Sequence, residues 1–300
     1  RVWADNVKTT LLKLGFGNRP IHIISANMHS VVNALYAYGF LNEMKSVSIV
    51  SGNNTVVDFF LEDASVVSFN DDFETDKGWT LSMTSVYSPR NLWQRLKYSS
   101  SIKNIFAPTY VILPDYDLNG GAIPSPHSGT HYYWYGDSDK GSYIGEQRKI
   151  PEDYPLSGGS SQDKYQGNLI SPLISLKGYS TATLTFWSWW EIESFHSSTG
   201  YDIMQIFVSV DKGANWSIIG SLNPTYDHPD RQYYLPYSSG GFNKPGVWNK
   251  YEYDLTPYVG NEILIRFSFD QKDEYYNGFR GWFIDDVSII SGKMSPLLKK

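Results

Sequence analysis

Two acidic knots interrupt sequence that is otherwise apolar and strand-like. One is Asp71-Asp72-Phe73-Glu74. The other is Asp285-Asp286, inside Gly281-Trp282-Phe283-Ile284-Asp285-Asp286-Val287-Ser288-Ile289. A carboxylate in a sheet core needs a cation or hydrogen-bond donors, because burying it unpaired is expensive. If the first and last strands of one sandwich pair, the two knots meet in an oxygen-rich pocket suited to Ca²⁺. In a regular strand Asp285 and Asp286 face opposite ways, so both reach one site only where a bulge re-aims one.

Other carboxylates recur at Glu191/Glu193 and at Asp270/Asp273/Glu274, and such pairs are the chemistry of glycoside hydrolysis. The simpler reading puts Glu191 and Glu193 at a strand end above an aromatic cluster, holding a second cation or loop backbone. No other catalytic constellation is visible. The histidines are His22, His29, His127, His131, His196 and His228, and none begins an H-E-x-x-H zinc pair. His127 and His131 are four apart, but Pro126 and Gly129 argue against a helix between them. Gly-x-Ser-x-Gly is absent, as is cysteine, which removes thiol nucleophiles, disulfides and thiolate metal sites. Gly15-Phe16-Gly17 lacks the strand-to-helix setting of a phosphate loop.

Composition supports a sheet-rich globular chain. Of 300 residues, 41% are hydrophobic, 19% charged and 16% aromatic, with 23 Tyr and 10 Trp. Rings of this kind fit pleated, half-buried surfaces. A net charge of −6, with no basic run beyond Lys299-Lys300, argues against nucleic-acid binding. No apolar run approaches the roughly 20 residues that span a bilayer. With neither an initial Met nor a signal peptide, Arg1 reads as the start of a mature or excised fragment.

Three regions follow from patterning: residues 1–64, 65–292 and a tail over 293–300. In the first, Val2, Val7, Leu11 and Leu14 fall at helical spacing, Ile21–Ser25 reads as a strand, and Ser30–Tyr38 reads as a short helix. Strands follow over Tyr36–Phe40, Val47–Val50 and Val56–Leu61. The second region reads as one all-β unit, with strands over Trp79–Met83, His131–Tyr135, Ala182–Trp190, Ile203–Val210, Trp216–Ser221, Trp248–Leu255 and Ile263–Phe269. The last alternates cleanly, with Ile263, Ile265, Phe267 and Phe269 on one face. Long polar loops at 113–129, 151–167 and 223–246 separate the strands, and loops of that length are usually functional or mobile.

The order of motifs is distinctive. Asp71–Glu74 and Gly78-Trp79 come first, then Gly129–Asp137, Leu169–Leu176 and Ala182–Glu191. Val208–Trp216, Trp248–Leu255 and Gly281–Ile289 close the series. This set resembles the MAM-like jelly-roll domain beside the catalytic domain of immune inhibitor A-type secreted metallopeptidases. It is also similar to the cleaved-adhesin and choice-of-anchor J modules of bacterial surface proteins. Tyr36–Leu61 resembles the last two strands of a carboxypeptidase regulatory-like domain. The resemblance implies an antiparallel jelly-roll β-sandwich behind a small α/β segment, secreted or displayed at the cell surface. It also implies structural Ca²⁺ held by Glu74 with Asp285 and Asp286, then Asp71 and Asp72, with Asp137 and Asp139 contributing.

The expected role is a non-catalytic adhesion or substrate-docking module of a larger secreted protein, since the peptidases' zinc motif is missing. Its partner would be an extracellular glycan, a protein or an adjacent peptidase domain. Tyr132, Tyr133, Trp134, Tyr233, Tyr234, Tyr237, Tyr275 and Tyr276 are the rings suited to contact it. The alternatives are a glycan-active hydrolase using a carboxylate pair, and an accessory domain that stabilises a missing metallopeptidase domain.

Overall fold

The computed structural model describes residues 21–22, 30–37, 43–48, 65–83, 88–106, 121–148, 159–193, 201–224 and 235–293. The chain divides into two compact units. One comprises residues 1–66, 178–181 and 291–300, the other residues 67–177 and 182–290.

In the first unit, β1 (Ile21–His22), β2 (Ser30–Ala37) and β3 (Glu43–Ser48) form one sheet in the order β1-β2-β3. The helix expected over Ser30–Tyr38 is corrected here to a strand. Its register runs from Ser30↔Ser48 to Leu35↔Glu43. Val31, Val32 and Tyr36 favour an extended backbone, and a paired neighbour satisfies its peptide groups. The helical spacing over Val2–Leu14 and the strand over Val56–Leu61 lie outside the described residues.

The second unit is an antiparallel jelly-roll β-sandwich. Its larger sheet is organised by two long strands, β10 (Tyr179–Glu193) and β17 (Gly281–Lys293). Along β10, β15 (Asn249–Asp254) pairs with Thr183–Ser188 and β13 (Pro236–Ser238) with Glu191–Glu193. Along β17, β7 (His131–Tyr135) pairs with Trp282–Ile284, and β4 (Ser65–Asp71) pairs as well. β6 (Trp93–Lys97) extends the sheet from β7, and β14 (Gly241–Phe242) from β13. The first and last strands of this sandwich are therefore partners, so the two acidic knots end on one sheet.

The smaller sheet centres on β16 (Glu262–Gln271). It lies between β11 (Asp202–Ser209) and β8 (Gln166–Ile170), with β12 (Ser217–Ser221) and β5 (Thr80–Ser82) at the edges and β9 (Ile174–Ser175) pairing the start of β16. Its alternation matches the sequence: Ile263, Ile265, Phe267 and Phe269 are fully buried. Each contributes about 1.5–3 kcal/mol relative to exposure. Phe267 meets Phe186 edge-on at 4.9 Å and Trp282 at 5.9 Å, while Phe269 stacks on Tyr135 at 4.3 Å.

The larger sheet is covered on its other face too. Trp134 stacks on Phe283 at 5.2 Å, Trp189 meets the same ring edge-on at 5.3 Å, and Tyr132 and Ile123 complete that cluster. This explains why His131–Tyr135 reads as a run of rings and not as alternation: a strand with two buried faces needs apolar bodies on both. The indole N–H groups remain satisfied, Trp134 donating to the Arg280 carbonyl at 2.7 Å and Trp282 to the Ser188 hydroxyl at 2.8 Å.

Candidate functional site

The first acidic knot is built around a turn. Asp71, buried at the end of β4, accepts the Phe73 N–H at 2.9 Å and the Trp79 indole N–H at 2.8 Å. Phe73 adopts φ +59 and is buried between Trp79 and Tyr133, at 5.5 and 4.9 Å. Arg95 fixes the exit by donating to the Phe73 and Glu74 carbonyls at 2.7 and 2.8 Å. Asp72, exposed, only accepts the Glu74 N–H at 3.2 Å.

Glu74 is thereby turned onto the 127–131 loop. Its carboxylate accepts the N–H groups of Thr130 and His131 at 2.6 and 2.8 Å and the Thr130 hydroxyl at 2.8 Å, with His131 Nδ1 at 3.2 Å. The Thr130 N–H leads in holding its pKa down to about 2. Gly129 is required here: its φ is +56, and a Cβ would sit 2.3 Å from Glu74 Oε1.

The second knot grips the same loop. Asp286 has φ +48, a left-handed residue that breaks the pleat and brings its side chain beside that of Asp285. Asp285, fully buried, accepts the N–H of Ser128 at 3.1 Å and that of Asp286 at 2.8 Å. Asp286 accepts the Ser128 hydroxyl at 2.7 Å and lies 2.5 Å from His127 Nδ1. The His127 ring in turn stacks on Trp187 at 3.8 Å and 15°. Burial pushes Asp285 up to about 7 despite the Ser128 N–H. Both knots thus close on residues 127–131, a hydrogen-bonded clasp joining the start and end of the sandwich.

As arranged, these residues do not fit calcium. Ca²⁺ takes six to eight oxygens at roughly 2.3–2.6 Å. Here Glu74, Asp285 and Asp286 each accept N–H or O–H donors of the loop between them. Among the described residues no group of three or more His, Asp or Glu side chains is placed to hold a metal. Asp137 is engaged elsewhere: it accepts the Asp139 N–H at 3.0 Å, Arg90 at 2.6 Å and Lys140 at 3.3 Å. Burial acts to raise its pKa, but these donors outweigh it and the pKa is lowered. Asp139 is exposed on that turn.

Glu191 and Glu193 project from the end of β10 into the interior. Glu191 forms a buried pair with Arg280, receiving Nε at 3.0 Å, Nη2 at 2.5 Å and the Arg280 N–H at 3.3 Å. Arg280 also donates to the Ala122 carbonyl at 2.9 Å and lies over Trp189 at 4.9 Å. Glu193 is only 3% exposed and its neighbour Asp202 2%. Neither Glu191 nor Glu193 faces an open cleft.

Three of the expected contact rings are corrected: Tyr132, Tyr133 and Trp134 are buried, because β7 is covered on both faces. Tyr233 and Tyr234 lie outside the described residues. Tyr275 is exposed and packs beside Tyr276, their rings 6.3 Å apart. Tyr237, half-buried, stacks on Trp190 at 6.3 Å.

A cleft of about 400 Å³ opens beside β6 and the 136–140 turn. Its polar side chains include Arg90, Gln94, Asp137, Asp139, Lys140 and Glu146. Gln94 is anchored by donating to the Gly136 carbonyl at 2.6 Å, and Arg90 is held by Asp137. Asp139 and Glu146 are exposed at its edge. Of these six, sequence reasoning had singled out only Asp137 and Asp139, as metal ligands.

No family model matches this sequence, and no curated protein does. Among solved structures, the chain is similar to the K3 cleaved adhesin domain of Lys-gingipain from Porphyromonas gingivalis. That match has 15% identity over 75% of this chain and 98% of that one, with TM-score 0.33. It is also similar to TmCBM61 in complex with β-1,4-galactotriose, at 12% identity over 71% and 88% of the two chains, TM-score 0.33. The CBM22-1 xylan-binding domain of Paenibacillus barcinonensis Xyn10C matches at 9% identity over 77% and 98%, TM-score 0.32. Scores at this level assign neither family nor ligand to this chain.

Proposed function

We propose that this chain is a non-catalytic binding module, displayed outside the cell by a larger protein, whose second unit takes a glycan in the cleft beside β6. The chemistry of that cleft carries the reading. Arg90, Lys140 and Gln94 donate while Asp137, Asp139 and Glu146 accept, with basic and acidic groups interspersed and the apolar lining residues Leu92 and Trp93 buried. A polyhydroxylated, uncharged ligand suits such a surface, because each hydroxyl both donates and accepts. The volume falls within the roughly 300–1,000 Å³ range of small-ligand sites.

The state of the carboxylates supports binding without turnover. Hydrolysis needs an acid and a base or nucleophile facing one sugar-filled space, about 5–9.5 Å apart. Glu191 is locked to Arg280, and Glu193 and Asp202 are closed off from solvent. A glycan array probed with the full chain, followed by calorimetry on the strongest hit, tests the proposal. Asp139→Ala and Glu146→Ala should each weaken binding about tenfold or more, the loss of one or two charge-assisted hydrogen bonds. An array without specific retention, or affinity indifferent to both substitutions, contradicts the proposal.

A further inference from the structure

The carboxylates assigned to calcium by resemblance have their donors; in a different pair one buried carboxylate oxygen, Glu193 Oε2, has none among the described residues. Glu193 ends β10 and Asp202 begins β11, both almost wholly buried. The Tyr143 hydroxyl joins them, donating to Asp202 Oδ2 at 2.5 Å and accepting the Glu193 N–H at 3.3 Å. The surrounding wall is satisfied: Gln271 donates to the Tyr143 carbonyl at 2.7 Å and accepts the Tyr165 N–H at 3.0 Å, and Asn223 donates to the Asp202 carbonyl at 2.5 Å.

Two buried atoms stand out against that wall. Among the described residues nothing reaches Glu193 Oε2, and nothing reaches the hydroxyl of Tyr135, a residue whose ring is fully buried. Tyr135 is within electrostatic reach of Asp202, whose charge acts with burial to raise its pKa. Asp273, half-buried, adds a third negative charge that acts on both Glu193 and Asp202. Lys164 acts on Asp273 and Arg90 on Tyr135, while Lys272 is paired with Asp270. Burial raises both carboxyls, Asp202 to about 8. Keeping both groups ionised without compensation costs several kcal/mol per ion.

We propose that Glu193 and Asp202 hold a hard divalent cation, calcium or magnesium, with water completing its oxygen shell. The donors are all oxygen, which selects hard cations over zinc or copper. Since no three acidic side chains are grouped to ligate a metal among the described residues, Asp273 acts from outside the shell. The site is independent of the glycan cleft, so either assignment can fail without the other.

The test is metal content and stability of the full chain. After stripping with EDTA, the protein is dialysed against millimolar CaCl₂ or MgCl₂, desalted and assayed by mass spectrometry. The wild type should retain about one equivalent, and saturating metal should raise its melting temperature by several degrees. Glu193→Gln and Asp202→Asn should each abolish retention, while Asp285→Asn in the clasp should keep it. Circular dichroism checks that the variants fold. If they do not, anomalous diffraction from wild-type crystals soaked in TbCl₃ decides: an ion beside Glu193 supports the site, and an ion elsewhere or none overturns it. No retained metal, or retention lost only in Asp285→Asn, also overturns it, the first outcome leaving the pair to share protons.

Discussion

Removing the Glu191 carboxylate should destabilise the second unit severely. Its partner Arg280 has a side chain only 3% exposed, and three of its contacts to Glu191 lie between 2.5 and 3.3 Å. In Glu191→Ala the guanidinium keeps the Ala122 carbonyl and the Trp189 ring but loses the carboxylate that receives its Nε and Nη2. Breaking a buried pair by removing one partner costs about 3–5 kcal/mol. For a unit of this size that corresponds to a fall of roughly 6–20 °C in melting temperature. Urea denaturation followed by tryptophan fluorescence measures the loss. The double variant Glu191→Leu/Arg280→Met should recover most of it, because well-packed apolar residues often replace a buried pair at little cost. A single variant within about 1 kcal/mol of wild type, well below that penalty, would show that Arg280 does not depend on Glu191. A double variant no better than the single would contradict replacement of the pair by apolar packing.

The clasp gives three further expectations. Glu74→Ala, which leaves the Thr130 and His131 N–H groups to water, should cost about 1–3 kcal/mol by chemical denaturation. Gly129→Ala should cost about 2–4 kcal/mol through its positive φ and the clash with Glu74, and distinctly less in a Glu74→Ala background, where a double-mutant cycle reads the coupling. Stability should also depend on pH with opposite slopes. Glu74, lowered from 4.5 to about 2, contributes stability that is present above about 4.5 and lost as pH falls through about 2. Asp285 is raised from 3.8 to about 7, so its folded form holds the proton longer, and stability falls as pH rises between those values. Asp285→Asn should lessen that second slope in EDTA, Glu193 and Asp202 supplying the remainder, and an unchanged slope would contradict the assignment.

Much of the sandwich was legible because one buried face imposes alternation. Ile263, Ile265, Phe267 and Phe269 announce β16, and all four are inward. β6 was not legible: Trp93-Gln94-Arg95-Leu96-Lys97 contains no β-branched residue, and its extended form depends on pairing with β7. Ser30–Ala37 misled for the reverse reason, since apolar residues near helical spacing also fit a strand once a partner is present.

The acidic knots and the pairing of the first and last strands were legible, but the knots were expected to meet around a shared ion and not on the 127–131 loop. What sequence could not supply was the identity of the counter-groups. Backbone N–H donors at Ser128, Thr130 and His131 leave no mark in residue types, whereas carboxylates do, so a cation was the visible solution. The positive φ of Asp286 answers the pleat problem but is carried by no glycine that would have signalled it. Tyr133 and Trp134 looked like contact rings because burial of both strand faces depends on what packs over the sheet.

The most direct test of a binding module that does no chemistry joins binding and turnover in one sample. A glycan retained on the array is incubated with the full chain for many hours, and its bound fraction and mass are both followed. The account predicts saturable binding with the oligosaccharide recovered intact. Release of new reducing ends, abolished in Glu193→Gln, would contradict it.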